Sequence, residues 1–345
     1  VNELTNVDPA LRSAWHPVAT SEEVGDGPVQ VWLLGEPWVV FRTQGRVHAL
    51  PDRCPHRLAP LSAGRIVAGT LQCGYHGWRF AADGRCCEIP ALGPDATVPR
   101  RATVRPAAGV AERYGLVWVA PDEARCALPE VPEWDEPGFQ IGRLTPQRVR
   151  AAAGLLADNF LDMAHFPFVH RGTIGAHDET TVDDYTVERD GFSFRVVMTH
   201  TFSNPEDPAV ATGDRPLVQT RTMEYVYTAP FAMRLRLDYL EAGGTNTITL
   251  FLQPETLDSC RVYMTVLRDD LGGDVDRLAD AIAYEQRVFD EDVAIQERYT
   301  TRSLPLDLTT EVHTRADRIT VELRRVLGEL VATAPTSSRS PIVSG

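Results

Sequence analysis

The chain has 345 residues, more than one domain usually carries, and its 43 % apolar and 24 % charged content suits a globular protein with a sizeable core. All 34 basic residues are arginine, which excludes Schiff-base, P-loop and lysine-base chemistry because a guanidinium stays protonated. The net charge of −14 argues against nucleic acid or an anionic membrane as partner.

No stretch reaches the length of an apolar membrane span. The opening VNELTNVDPALRS has neither the basic start nor the apolar core of a signal peptide. A cytoplasmic location is therefore expected, with the six cysteines reduced or metal-bound. From Arg42 to Arg113 eleven arginines face five acids, so this +6 region is joined to a remainder of −20. Such asymmetry suggests either a docking surface or a solvated basic face.

From Pro28 to Leu50 the runs VQVWLL, WVVFR and RVHAL alternate with turn residues and predict an antiparallel meander. Two Cys/His segments follow, and GLVWVA at 115–120 reads as a closing strand. Prolines and acids at 122–146 predict a linker. The segment AAAGLLADNFLDMAHF then predicts a helix, and three long alternating stretches between Tyr185 and Leu267 predict a large antiparallel sheet with one face covered. Amphipathic helices are expected at about Val275–Tyr299 and Glu311–Leu330, and residues 333–345 have the composition of a disordered tail. The fold class is α+β: an all-β domain over 14–121, the linker, and a helix-grip-like sheet domain over 147–332.

Two constellations carry chemistry. Cys54-Pro-His56 and Cys73-Gly-Tyr-His76 are separated by sixteen residues, and each loop offers one thiolate and one imidazole. The softness of the set suits zinc or an iron–sulfur cluster. Zinc modules normally pair like with like, whereas one of each per loop suits a Rieske [2Fe–2S] centre, with both cysteines on one iron and both histidines on the other. Arg57 and Trp78 follow the ligands closely enough to support or simply pack against them. Cys86, Cys87, Cys126 and Cys260 read as small buried side chains.

The second constellation is Asp162, His165 and His170 in LDMAHFPFVH. On a straight helix His170 would point about 140° away from His165. Pro167 disfavours helix at Phe166, so a bend after His165 could bring both histidines to one metal. A facial triad needs a carboxylate, and Asp292 sits in the apolar stripe of the late helix, where a bare charge is costly. Glu285 shares that face as a rival, Asp290 points away, and Glu291 lies at the margin. Taken alone, the histidines could equally be a structural pair.

The motifs CPHR, CGYHGW, DNFLDMAHFPFVH and VFDEDVAIQE together resemble the catalytic α subunit of the Rieske non-haem iron oxygenases, over residues 14 to 330. In length the chain is similar to the short, α-only monooxygenase branch with the dicamba and vanillate O-demethylases and ketosteroid hydroxylases. The resemblance implies that Cys54, His56, Cys73 and His76 hold the cluster and that His165, His170 and Asp292 hold a mononuclear Fe(II). It also implies that Asp162 bridges His76 of one subunit to His165 of the next in a head-to-tail homotrimer. A ferredoxin or NAD(P)H-dependent reductase would supply electrons, and O2 would be used on a largely apolar aromatic or alicyclic substrate. Aromatic residues such as Phe166, Phe168, Tyr225, Tyr239 and Phe251 are candidates for pocket or core. A cis-dihydroxylating dioxygenase of the same family and a pure Rieske electron carrier are the alternatives.

Overall fold

The three apolar runs of the meander form antiparallel strands at Val29–Leu33, Glu36–Thr43 and Arg46–Pro51. Their connections, Leu34-Gly35 and Gln44-Gly45, have positive φ at both positions, the geometry that matches the twist of a tight hairpin. This is a computed structural model, and it describes residues 2–94, 96–175 and 180–334. The stretch predicted to be a tail therefore lies almost wholly outside the described residues. Leu116–Ala120 is the middle strand of a second small sheet, between Gly109–Arg113 and His16–Thr20. A third, four-stranded sheet (Arg65–Val67, Thr70–Gln72, Arg79–Phe80, Cys86–Glu88) carries Cys73 and His76 between its second and third strands.

The rest of the chain is built on an eight-stranded sheet, antiparallel throughout. Its order runs Gln140–Arg143, Ser259–Arg268, Thr245–Thr256, Ala232–Tyr239, Val218–Thr228, Ser193–Ser203, Glu188–Asp190, and Gln147–Val149 also pairs with Ser259–Arg268. Burial alternates along Ser193–Ser203 and Val218–Thr228, whereas Thr245–Thr256 is buried on both faces. The sheet is thus half covered at one edge and fully covered at its centre.

Among the described residues five helices accompany it: α1 (Ala153–Leu161), α2 (Phe166–Val169), α3 (Pro208–Ala211), α4 (Val275–Gln296) and α5 (Arg318–Ala332). Helix α4 starts where Asp274 accepts from the backbone N–H groups of Asp276 and Arg277. Helix α5 is shorter at its start than predicted, because a Thr314/Asp317 capping box fixes the chain entry there. The buried guanidinium of Arg324 on α5 pairs with Asp158 on α1 and with Glu311 at 2.7 Å, clamping the two helices together.

Two predictions are corrected. Residues 122–146 are not an irregular linker throughout. Gln140–Arg143 is the edge strand of the large sheet, and the short 3-10 turn Pro132–Trp134 buries Glu133 against Arg234 and Arg236. The acids that broke the apolar periodicity there include one that is itself buried as an ion pair. Secondly, the helix predicted to run through His165 ends at Leu161. Asp162 turns extended (ψ 135) and its carboxylate accepts from the N–H of Ala164 at 2.9 Å. That Asx-type turn competes with the helix and wins. The break therefore precedes His165, and Pro167 initiates α2 instead of bending a continuing helix.

Candidate metal centres

The two Cys/His loops have the same backbone design. Leu58 N–H donates to the Cys54 carbonyl at 2.9 Å and Gly77 N–H to the Cys73 carbonyl at 3.1 Å. The donors occupy equivalent places, four residues after each cysteine, and both have positive φ, 63° for Leu58 and 71° for Gly77. Between the loops, a Cβ on Gly64 would lie 2.0 Å from the Gln72 carbonyl oxygen, so a side chain there would force the strands apart.

Both cysteines are buried, His56 is half-buried and His76 is exposed. The imidazoles lie edge to face at 4.5 Å between centroids, and Trp78 stacks on His56 at 4.6 Å. Burial, together with the adjacent Cys73 thiol, pushes the Cys54 thiol up to about 11. Such a thiol becomes a thiolate when iron supplies the compensating charge. His56 Nδ1 is buried without a hydrogen-bond partner among the described residues, as a metal-ligating nitrogen would be. These donor set features fit a cluster with cysteines inside and histidines at the surface. Cys86, Cys126 and Cys260 are buried as predicted, but Cys87 is exposed.

The second group is tighter. His165 Nε2 and His170 Nε2 are 3.0 Å apart, and Asp292 Oδ1 is 3.3 Å from each. Among the described residues, these three form the group of such donor atoms gathered within 4.8 Å of one another. The histidines reach their common point because His165 precedes α2 and His170 follows it. Asp292 comes from α4, with Asn159 of α1 donating to its Oδ1 at 3.2 Å.

The outer ring nitrogens are also held. His165 Nδ1 meets Asp162 Oδ2 at 3.1 Å, and His170 Nδ1 meets Glu291 Oε2 at 2.8 Å. Thr173 donates to the same Glu291 oxygen at 2.8 Å. A carboxylate behind each imidazole fixes the Nδ1–H tautomer and aims the Nε2 lone pair inward. Burial opposes ionisation of Asp292, but hydrogen bonds from His165 and His170 outweigh it and hold the carboxyl down to about 2. Burial likewise lowers His165, yet Asp162 and Asp292 raise it to about 9. The arrangement is that of two neutral imidazoles and one carboxylate for a divalent ion, with protons in the ion's place when it is absent.

Glu291 is the residue that sequence reasoning undervalued. Its neighbour Asp292 was placed by its apolar stripe, but nothing in the helical wheel shows that the next carboxylate turns towards His170. Glu291→Gln is expected to lower Fe(II) affinity about tenfold to a hundredfold while leaving the cluster absorbance unchanged, measured by metal titration of the iron-stripped protein. Unaltered affinity would show that Glu291 does not support the ligand.

The triple opens on a cavity whose apolar lining includes Phe160, Phe166, Ile174, Ile248, Val288 and Phe289. Tyr225 and Tyr239 line it too. Phe168 is exposed, and Phe251 faces the opposite side of the sheet, 5.1 Å from Trp118. A one-residue difference in strand parity decides this. Glu285 lies two turns before Asp292 on α4 and faces the cavity, but it is outside the metal-like triple.

Residues 14–105 match the Rieske [2Fe-2S] domain and residues 149–333 match the vanillate O-demethylase oxygenase C-terminal domain. Over 330 residues the chain is 32 % identical to the methylxanthine N1-demethylase NdmA of Pseudomonas putida, covering 93 % of this chain and 89 % of that one. It is 31 % identical to the N3-demethylase NdmB of the same organism, over 94 % of this chain and 90 % of that one. The solved structure of NdmA with caffeine superposes with a TM-score of 0.81 at 30 % identity, covering 94 % of this chain and 92 % of that one. Dicamba monooxygenase bound to 3,6-dichlorosalicylic acid gives 0.79 at 25 % identity, with 93 % and 98 % covered.

Proposed function

The chain belongs to the Rieske non-haem iron oxygenases, and from that premise we propose that it oxidatively demethylates or hydroxylates a small organic molecule with a largely apolar body. Cys54 and Cys73 hold one iron of the [2Fe–2S] cluster, and His56 and His76 hold the other. His165, His170 and Asp292 hold the mononuclear iron, which supplies O2 activation when bound. The observation that carries the reading is the meeting of His165 Nε2, His170 Nε2 and Asp292 Oδ1 at the wall of a cavity with an apolar lining. Phe160, Phe166 and Phe289 position the substrate and exclude water from that wall.

Monooxygenation is favoured over cis-dihydroxylation by whole-length likeness to demethylases. The iron- and cluster-loaded protein, given NADH and a Rieske-type reductase, should consume O2 and release formaldehyde from some member of a panel of aryl methyl ethers and N-methyl heterocycles. Recovery only of cis-diols from aromatic hydrocarbons would favour the dioxygenase reading.

A homotrimer with Asp162 as the bridge is supported by exposed apolar surface at both centres. Leu58 and Tyr75 are 57 % and 66 % exposed beside the cluster histidines. At the other centre, Ile295, Tyr299 and Val312 line a second cavity with Asp162 and are 40 %, 40 % and 94 % exposed. Each patch would be covered if one subunit's cluster tip sat against the next subunit's Asp162.

The electron donor docks on the basic face. Arg53 and Arg57 flank Cys54 and His56, both are exposed, and neither has an ion-pair partner among the described residues. Raising ionic strength should increase the apparent KM for the donor while leaving substrate affinity nearly unchanged in steady-state assays. Equal salt effects on both would reduce the arginines to a solvated face. Among the described residues no helix is long and apolar enough to cross a membrane. The reaction is assigned to the cytoplasm, where nicotinamide-dependent reductases operate.

A further inference from the structure

The cavity is not apolar throughout. Arg221 points into it from Val218–Thr228, in the same alternating row as Met223 and Tyr225 and four residues along the strand from Tyr225. It is 2 % exposed, its guanidinium stacks on Phe202 at 4.3 Å, and its Nε has no hydrogen-bond partner. Among the described residues no carboxylate lies within 4.0 Å of it. Its cross-strand neighbour His200 adds no second positive charge, since burial and Arg221 itself lower that imidazole to about 4.

Other polar atoms lining this recess are also left unmade: Tyr225 Oη, Tyr284 Oη and Asn246 Oδ1. Buried polar groups in native proteins are nearly always satisfied, and a buried charge without a partner is costly. Four such groups meeting in one cavity are therefore arranged for a ligand. The nearest acids are differently disposed. Burial and Glu206 push Glu285 up to about 7, so it can present an O–H, and Glu206 lies against Arg268 at 3.5 Å. Arg268 is satisfied by Asp270 at 2.8 Å.

We propose that Arg221 anchors a carboxylate on the substrate, with the Tyr225 and Tyr284 hydroxyls as further donors. This rests on the oxygenase reading of the same cavity and narrows its substrate class to amphipathic organic acids. Glu285 precedes Asp292 by seven residues, which on a helix is a rise of roughly 10 Å. An acid bound at Arg221 leaves its apolar end for His165, His170 and Asp292, which line the same cavity.

The test is equilibrium dialysis of the iron- and cluster-loaded protein against 4-methoxybenzoate and 4-methoxycyclohexanecarboxylate, each beside its methyl ester and carboxamide. At least one acid should bind about thirtyfold or more tighter than its neutral counterparts. Arg221→Met, which keeps an apolar stem over Phe202, should abolish that preference. The wild-type comparison stands even where the variant does not fold. Acids that bind no tighter than their esters and amides, or that do not bind at all, overturn the proposal. Iron content of the same samples separates the two readings. A full iron complement without acid preference rejects the anion anchor alone, whereas acid preference without iron at the triple rejects the oxygenase reading alone.

Discussion

Asp162→Asn should retain its iron and its cluster spectrum yet turn over substrate on the order of a hundredfold more slowly. The expectation comes from where Asp162 stands. One carboxylate oxygen accepts from Ala164 N–H at 2.9 Å and the other meets His165 Nδ1 at 3.1 Å, while the side chain remains 31 % exposed. It is not among the inward-facing donors, so the variant keeps all three ligand side chains and, with Fe(II) supplied in excess of the weakened affinity, its iron. In the variant the amide oxygen can still accept from His165 Nδ1–H, at the expense of the Ala164 contact. What is lost is the second acceptor that could reach an exposed imidazole such as His76 of a neighbouring subunit. Electrons would then reach the mononuclear site slowly or by another route. Rapid mixing of reduced cluster with O2 and substrate reads this directly. Normal cluster oxidation in the variant removes Asp162 from the electron path, and loss of iron reduces it to a structural support of His165.

The second large effect is expected from His170→Ala. His170 is 1 % exposed and joins the triple to Glu291 and Thr173. Truncation removes one of three ligands and leaves Glu291 with the Thr173 hydroxyl alone; losing a hydrogen bond to a charged group costs on the order of 1–3 kcal/mol in stability. The mononuclear iron should be lost and substrate-dependent O2 uptake should fall to background. The cluster should keep its absorbance, because its loops belong to a different sheet. If uptake persists with the iron gone, O2 is not activated at this site.

Much of this was legible in the residues. The meander, the long strands and the paired Cys/His loops are local patterns: alternation, Gly-containing turns, and donor residues at fixed spacing. Asp292 was legible because a charge inside an apolar stripe must be explained. The route by which His165 and His170 meet differs from the bend that Pro167 predicts. An Asx turn at Asp162 ends the helix, and side chain–backbone competition of that kind leaves no periodic signal. Glu291 and Arg221 were harder still. Glu291 depends on which way one carboxylate turns between helix and loop, and Arg221 on which strands pair across the sheet. Its single charge in an inward row is visible only once that row is known to face α4 and the cavity. The ordered stretch around Glu133 escaped for the same reason, since its acid is partnered by arginines about a hundred residues away.

The central claim is that this one chain holds both a two-iron cluster and a separate iron at His165, His170 and Asp292. Iron and acid-labile sulfide should be quantified anaerobically in wild-type and His170→Ala protein, with EPR of the reduced state. Two cluster irons plus one at the triple predict three irons and two sulfides per wild-type chain. His170→Ala should have two of each, with the same Rieske signal. A wild-type chain that holds two irons and two sulfides, and takes up no more when Fe(II) is added, would contradict the account and describe an electron carrier.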